Sequence, residues 1–123
     1  MIYLVVAIAG ALGAVSRFLM DTFIRSLNDS YFPWGTFFVN TSGSFALGMT
    51  TALAVHYDFS EIVVIAVSAG FLGAYTTFSG WMVQTLELIE SHAWSYAIHN
   101  IFSSVIIGTL AAIAGYAVVI FAT

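Results

Sequence analysis

The chain has no cysteine and no lysine, a single proline, and only 7% charged residues. Each scarcity removes a class of function. Without cysteine there is no disulfide framework and no thiolate metal site. Arg17 and Arg25 are the only fixed basic side chains, so no basic cluster exists to hold a phosphate backbone, and nucleic acid is not a partner. A soluble domain is about one-quarter charged. This chain, 61% hydrophobic, cannot make a water-facing surface from its own material, and the lipid bilayer is its natural solvent. The run from Met1 to Val15 lacks the positive start of a signal peptide and continues past the usual length of its apolar region, so it reads as a retained transmembrane helix.

What is present is a series of apolar segments. A spanning helix needs about 20 apolar residues. Four stretches are expected to qualify: Ile2 to Phe23, Pro33 to Val55, Ile62 to Leu86 and Trp94 to Phe121. Pro33 stands at the start of the second, where its missing N–H costs least. Asp21, Asp29, Asp58, Glu61, Glu87 and Glu90 all lie at segment ends or in connections, and none is mid-span. The connections are short, no soluble appendage or internal repeat is visible, and residues 1–123 read as one all-α membrane domain. Both arginines lie near the end of the first segment, which is a thin positive-inside signal. The sequence therefore permits insertion in both orientations, and with it an antiparallel homodimer.

Small residues four apart recur in the helices: Ala9 and Gly13, Gly10 and Ala14, Ser44 and Gly48, Ala69 and Gly73, Ala111 and Gly115. Such faces let transmembrane backbones approach closely. Packing within one subunit explains any single pair, but their number suggests closer contact than four helices alone require.

Two polar stripes run through the apolar segments. Thr36, Asn40 and Ser44 share one face of the second helix, and Tyr96, Asn100 and Ser104 share one face of the fourth, with Gly108 continuing the line. Hydrogen-bond glue between helices and the lining of a pathway are both open readings. Arg17 reads either as an anchor reaching the headgroups or as a vestibule charge that attracts anions. Neither stripe carries a carboxylate, so paired-carboxylate chemistry and a zinc ligand cluster are absent, and His99 is the one weak candidate for a base. These residues make no enzyme. A proton-coupled exporter would be expected to use a membrane-embedded acid. What remains is a path lined by neutral donors.

The stretch Gly73-Ala74-Tyr75-Thr76-Thr77-Phe78-Ser79-Gly80-Trp81 is a poor continuous helix. Glycine and β-branched threonine weaken it. A break here frees carbonyls, which at membrane depth must be buried in protein or coordinate something, and a cation is one physical solution. The expected break is Gly73 through Thr76. Phe78 and Trp81, three apart, would share a face of the resumed helix.

These pieces, in order, resemble the Fluc family of bacterial fluoride channels. The match rests on Gly10-Ala11-Leu12-Gly13-Ala14-Val15-Ser16-Arg17, on Gly35-Thr36-Phe37-Phe38-Val39-Asn40 with Gly43-Ser44, on Gly70-Phe71-Leu72-Gly73 and on Thr76-Thr77-Phe78-Ser79. The resemblance implies a passive channel exporting F⁻ across the bacterial inner (plasma) membrane, built as an antiparallel dual-topology dimer with two pores. It implies that fluoride, the lipid bilayer and a second copy of the chain, or a diverged paralogue, are the partners. It implies a structural Na⁺ at the dimer centre, held by the backbone carbonyls of Gly73 and Thr76. It implies a pore wall of Asn40, Phe78, Ser79 and Trp81, with Tyr96 and Ser104 in a polar track and Arg17 in the vestibule. Where the family has Thr and Phe, this chain has Gly80 and Trp81; the indole keeps positive ring edges and adds an N–H donor. A small drug or cation exporter and a non-transporting assembly subunit are the competing readings.

Overall fold

Five helical elements follow from where the apolar runs are punctuated. In the computed structural model, which describes Met1–Thr123, α1 is Ile2–Leu27 and α2 is Trp34–His56. The next helix, α3 (residues 61–75), begins as Glu61–Ile65, widens into a π-helix over Ala66–Leu72 and closes with an α turn at Gly73–Tyr75. After two extended residues, α4 runs Phe78–Glu90, and α5 runs Trp94–Ala122. Together α3 and α4 form one broken span, so the chain is a four-helix bundle in the membrane sense. At 1.5 Å rise per residue, α1 and α5 are each roughly 40 Å long, ample for a bilayer core of about 30 Å.

Three spans are both long and apolar enough to cross a membrane: α1, the broken span Glu61–Glu90, and α5. The second segment, expected to be a fourth apolar span, has the length but not the apolarity. Thr36, Asn40, Thr41, Ser42, Ser44, Thr50 and Thr51 interrupt it. The fold compensates by shielding it: α2 contributes Gly35, Thr36, Val39, Gly43, Gly48 and Ala52 to the buried set.

The core is thin. Only 17 of 123 residues are buried, and large apolar side chains along α1 and α5 face outward, so lipid or another chain must cover them. Contact between helices instead runs through small residues. The most extensive pairing is α2 with α5. A Cβ on Gly48 would run into the Ala112 carbonyl, and one on Gly115 into the Phe45 carbonyl, so each helix presents a bare backbone patch to the other. On the other side, α1 packs along the π-helical stretch: Gly13 lies against the Phe71 carbonyl, and Gly70 against Ala9 and the Val6 backbone. Most of the small-residue faces expected from the sequence are thus used inside one subunit. Gly73 is the exception, since it is exposed and meets little.

The turn between α4 and α5 closes as a Schellman motif. His92 N–H bonds the Ile89 carbonyl at 3.0 Å and Ala93 N–H bonds the Leu88 carbonyl at 2.8 Å, with His92 in the left-handed region at φ 59°.

Candidate functional site at the broken helix

The helix breaks at Thr76 and Thr77, at the last residue of the expected Gly73–Thr76 and one residue beyond it. Gly73 is helical, with φ −62° and ψ −35°. Thr76 and Thr77 are extended, at φ −78°, ψ 158° and φ −145°, ψ 121°. Glycine only lowers helix propensity, whereas this break is set by side-chain capping. The Thr77 hydroxyl accepts from Gly80 N–H at 3.1 Å and caps α4. The Thr76 hydroxyl donates back to the Leu72 carbonyl at 2.9 Å, which closes the end of α3.

Asn40 bridges the gap from α2. Its Oδ1 accepts from Thr77 N–H at 2.7 Å and its Nδ2 donates to the Thr77 carbonyl at 2.9 Å. One amide side chain thus replaces both hydrogen bonds that the interruption removes from Thr77. Close packing makes the approach possible, because a Cβ on Gly43 would collide with Thr76 Cγ2. Tyr75, buried beside them, shares a 3.0 Å hydrogen bond between its hydroxyl and that of Ser42.

Beside the break lies a groove of about 360 Å³. Asn40 and Ser44 line it from α2, Gly73 from α3, Thr76 from the break, Phe78 and Trp81 from α4, and Ser104 from α5. Most of the residues expected to act together therefore share one volume. Phe78 and Trp81 meet edge-on, with ring centroids 5.3 Å apart and planes at 65°. No acid or base lines the groove.

Three of the expected residues lie elsewhere. Arg17 and Ser79 line an adjoining cavity of about 350 Å³ with Asp21, Arg25, Thr36 and Gln84. Arg17 reaches from there to the Thr76 carbonyl at 3.4 Å, a long hydrogen bond. Asp21 is paired with Arg25 at 3.1 Å. Tyr96 is exposed against Tyr31, with ring centroids 5.9 Å apart, and belongs to neither cavity. The α5 stripe Tyr96, Asn100 and Ser104 thus divides into an outer, a buried and a groove-lining member. The α2 stripe divides too: Thr36 faces the Arg17 cavity, while Asn40 and Ser44 face the groove.

The indole donor of Trp81 is occupied. It donates to the Asn100 carbonyl at 3.1 Å, while Asn100 Nδ2 donates to the Thr85 hydroxyl at 2.8 Å and that hydroxyl donates to the Trp81 carbonyl at 2.8 Å. Thr85 is absent from the sequence reading. Its position four residues after Trp81, on the face of α4 that packs on α5, was the available signal. Gln84 was also missed: its Oε1 is buried without a hydrogen-bond partner at the edge of the Arg17 cavity.

The chain has no cluster of His, Asp and Glu suited to a metal. The resemblance to the family instead points to backbone carbonyls at the break. Those of Gly73 and Thr76 fit unequally. The Thr77 N–H, which would return to the Gly73 carbonyl in a continuous helix, is spent on Asn40, so Gly73 has lost its usual donor. The Thr76 carbonyl already faces the Arg17 guanidinium.

Residues 4–116 match the family model described as CrcB-like protein, Camphor Resistance (CrcB). The chain belongs to the CrcB/FluC family. It is 40% identical to a protein of Magnetococcus marinus named fluoride-specific ion channel FluC, over 92% of this chain and 93% of the relative. It is 40% identical to fluoride-specific ion channel FluC 2 of Clostridium acetobutylicum, covering 88% and 89%. It is 36% identical to the FluC protein of Thermus thermophilus, covering 93% and 90%. With these bacterial relatives and several apolar spans, the CrcB/FluC chain is a multi-pass protein of the bacterial inner membrane, and not an enzyme.

Proposed function

We propose that this chain is a fluoride-selective passive channel that lets F⁻ leave the cytoplasm, working as an antiparallel dual-topology dimer with two pores and a central Na⁺. The groove beside the broken helix carries the reading. Asn40, Phe78, Trp81 and Ser104 bring neutral polar groups and aromatic rings into one volume with no fixed charge. Ring edges are electropositive. A conducting site must bind strongly enough for entry and weakly enough for exit, and such a lining suits an anion on those terms. That the relatives are named fluoride-specific ion channels makes fluoride the anion. Arg17, at the neighbouring cavity, supplies positive potential at the mouth.

A second copy completes the path in this reading. Phe78 is 73% exposed in one copy and Gly73 is open, so the groove has a wall on one side only. A diverged paralogue would serve the same purpose. The carbonyls of Gly73, and less favourably of Thr76, would hold Na⁺ between the two copies. Bound there, the cation supplies positive potential beside both pores and ties the copies together.

Purified protein in liposomes loaded with fluoride tests this. Rapid electrogenic fluoride efflux with chloride excluded is expected. Efflux that needs a proton gradient would instead favour an exporter, and a folded dimer that moves no ion would favour an assembly subunit. Replacing Na⁺ by a large organic cation throughout preparation should weaken the dimer; a dimer equally stable without Na⁺ would remove the cation from the proposal.

A further inference from the structure

The indole of Trp81 is the one groove-lining ring with a strong donor, and it looks suited to bind an anion directly. The geometry points elsewhere. Its N–H is directed at the Asn100 main chain in α5, at 3.1 Å, away from the groove that the rest of the ring lines. Asn100 is 1% exposed and Thr85 is 3% exposed, and neither lines the groove. Both nevertheless hold residues that do. Trp81, Asn100 and Thr85 close a ring of three hydrogen bonds between 2.8 and 3.1 Å. The indole N–H would lose its acceptor if the ring turned, and the Asn100 side chain, through Thr85, braces the α4 backbone at Trp81; a buried donor or amide left without a partner is costly, so the arrangement resists rotation. The fourth contact is different. Ser104, a groove residue, donates to Asn100 Oδ1 at 3.4 Å, the weak end of hydrogen-bond geometry. A hydroxyl so loosely engaged can turn its proton to a new acceptor at small cost.

We propose that Asn100 is a positioning residue of the pathway: its main-chain carbonyl takes the Trp81 indole N–H while its side chain, through Thr85, fixes the α4 turn that carries Trp81, so that Trp81 meets a passing anion with ring carbon–hydrogen edges and not with its N–H, and it holds the Ser104 hydroxyl loosely enough to be released to that anion. The inference rests on the groove being the anion path. Selectivity follows from the rigidity. A fixed ring presents one aperture, and a small, strongly hydrated anion gains from a released hydroxyl while a larger one meets an unyielding wall. An indole free to rotate would offer its donor to either anion and widen the aperture.

The test has two arms. In the first, the ¹⁵N–¹H resonance of the Trp81 indole, assigned by its loss in Trp81→Phe, is followed in the assembled protein during titration with NaF and, as control, NaCl. It is expected to exchange slowly with solvent and to stay in place. A shift that saturates with fluoride and not with chloride would make the indole a fluoride donor and overturn the proposal. In the second arm, Asn100→Leu and Trp81→Phe are compared with the parent in liposomes for the ratio of fluoride to chloride flux. That ratio is expected to fall about tenfold in Asn100→Leu, which keeps the main-chain acceptor of the indole but loses the buried side-chain bond to Thr85, and to hold in Trp81→Phe, whose ring has no N–H to offer. A ratio equal to the parent's in Asn100→Leu, or a fall in Trp81→Phe alone, overturns the positioning role. Thr85→Val, which removes the acceptor of Asn100 Nδ2 and the hydroxyl bond to the Trp81 carbonyl but keeps Asn100 itself, supplies the comparison if Asn100→Leu does not assemble. Failure of the parent to carry fluoride would overturn the channel reading, while the indole titration would still decide where the N–H is spent.

Discussion

Asn40 and Thr77 form a two-point pair across the helix break: the side-chain amide accepts from the backbone N–H at 2.7 Å and donates to the carbonyl at 2.9 Å. A break at membrane depth strands backbone groups that cost several kcal/mol if unmet. Asn40 meets both groups of Thr77 while lining the groove, so one residue couples the stability of the break to the shape of the groove.

Removing that clamp should show in both properties. Asn40→Leu leaves a half-buried N–H and carbonyl without partners and is expected to cost about 2–4 kcal/mol, one to two unmet backbone groups. Thermal unfolding in detergent would read the loss, and fluoride flux should fall with it. Asn40→Asp keeps the acceptor for Thr77 N–H and places a carboxylate in the groove. It should therefore lose flux more completely than stability. Parent-level flux in Asn40→Leu would detach the break from conduction.

Phe78 is tested by shape without ring edges. Phe78→Ile keeps an apolar side chain on an exposed face and disturbs only the edge contact with Trp81. Flux should drop by about tenfold or more, the loss of a stabilising ring edge in the path, with the dimer unchanged on size-exclusion chromatography. Normal flux would remove Phe78 from the wall.

The bare backbone patches between α2 and α5 leave no room for a methyl group. A Cβ on Gly115 would collide with the Phe45 carbonyl, a main-chain atom that cannot turn aside. Gly115→Ala is expected to destabilise the fold by about 1–3 kcal/mol, the usual cost of overpacking. Gly73→Ala provides the contrast. The added methyl meets only the Ser68 carbonyl at 3.6 Å and the backbone is helical, so the single-copy fold should be unaffected. A loss of dimer in Gly73→Ala without loss of helix content would place Gly73 at a contact between copies.

His92 carries the left-handed conformation of the α4–α5 turn with a side chain that pays a steric penalty there. His92→Gly should raise stability by about 1 kcal/mol, the cost of a non-glycine residue in that region. Thermal unfolding midpoints would check it, and a lower midpoint would mean that the imidazole makes a stabilising contact that the turn geometry does not reveal.

The amino-acid sequence by itself determined the solvent, the helix count and the kind of lining. Those follow from local quantities: apolar run length, scarcity of charge, and hydroxyls and amides repeating at helical spacing. It also located the weak point of the third span to within a turn. Tertiary structure decided the rest, because each remaining choice depended on a partner distant in sequence. The break settled at Thr76 and Thr77, between Gly73 and Gly80, because capping hydroxyls and Asn40 satisfy the backbone there. Tyr96 stands apart from the groove of the single copy because its ring packs with Tyr31 at the chain surface. Trp81 lost its spare donor because Asn100 stands opposite it on α5. Spacing along one helix places residues on a face; which face meets which neighbour, and which donor is already spent, is set only when the helices pack.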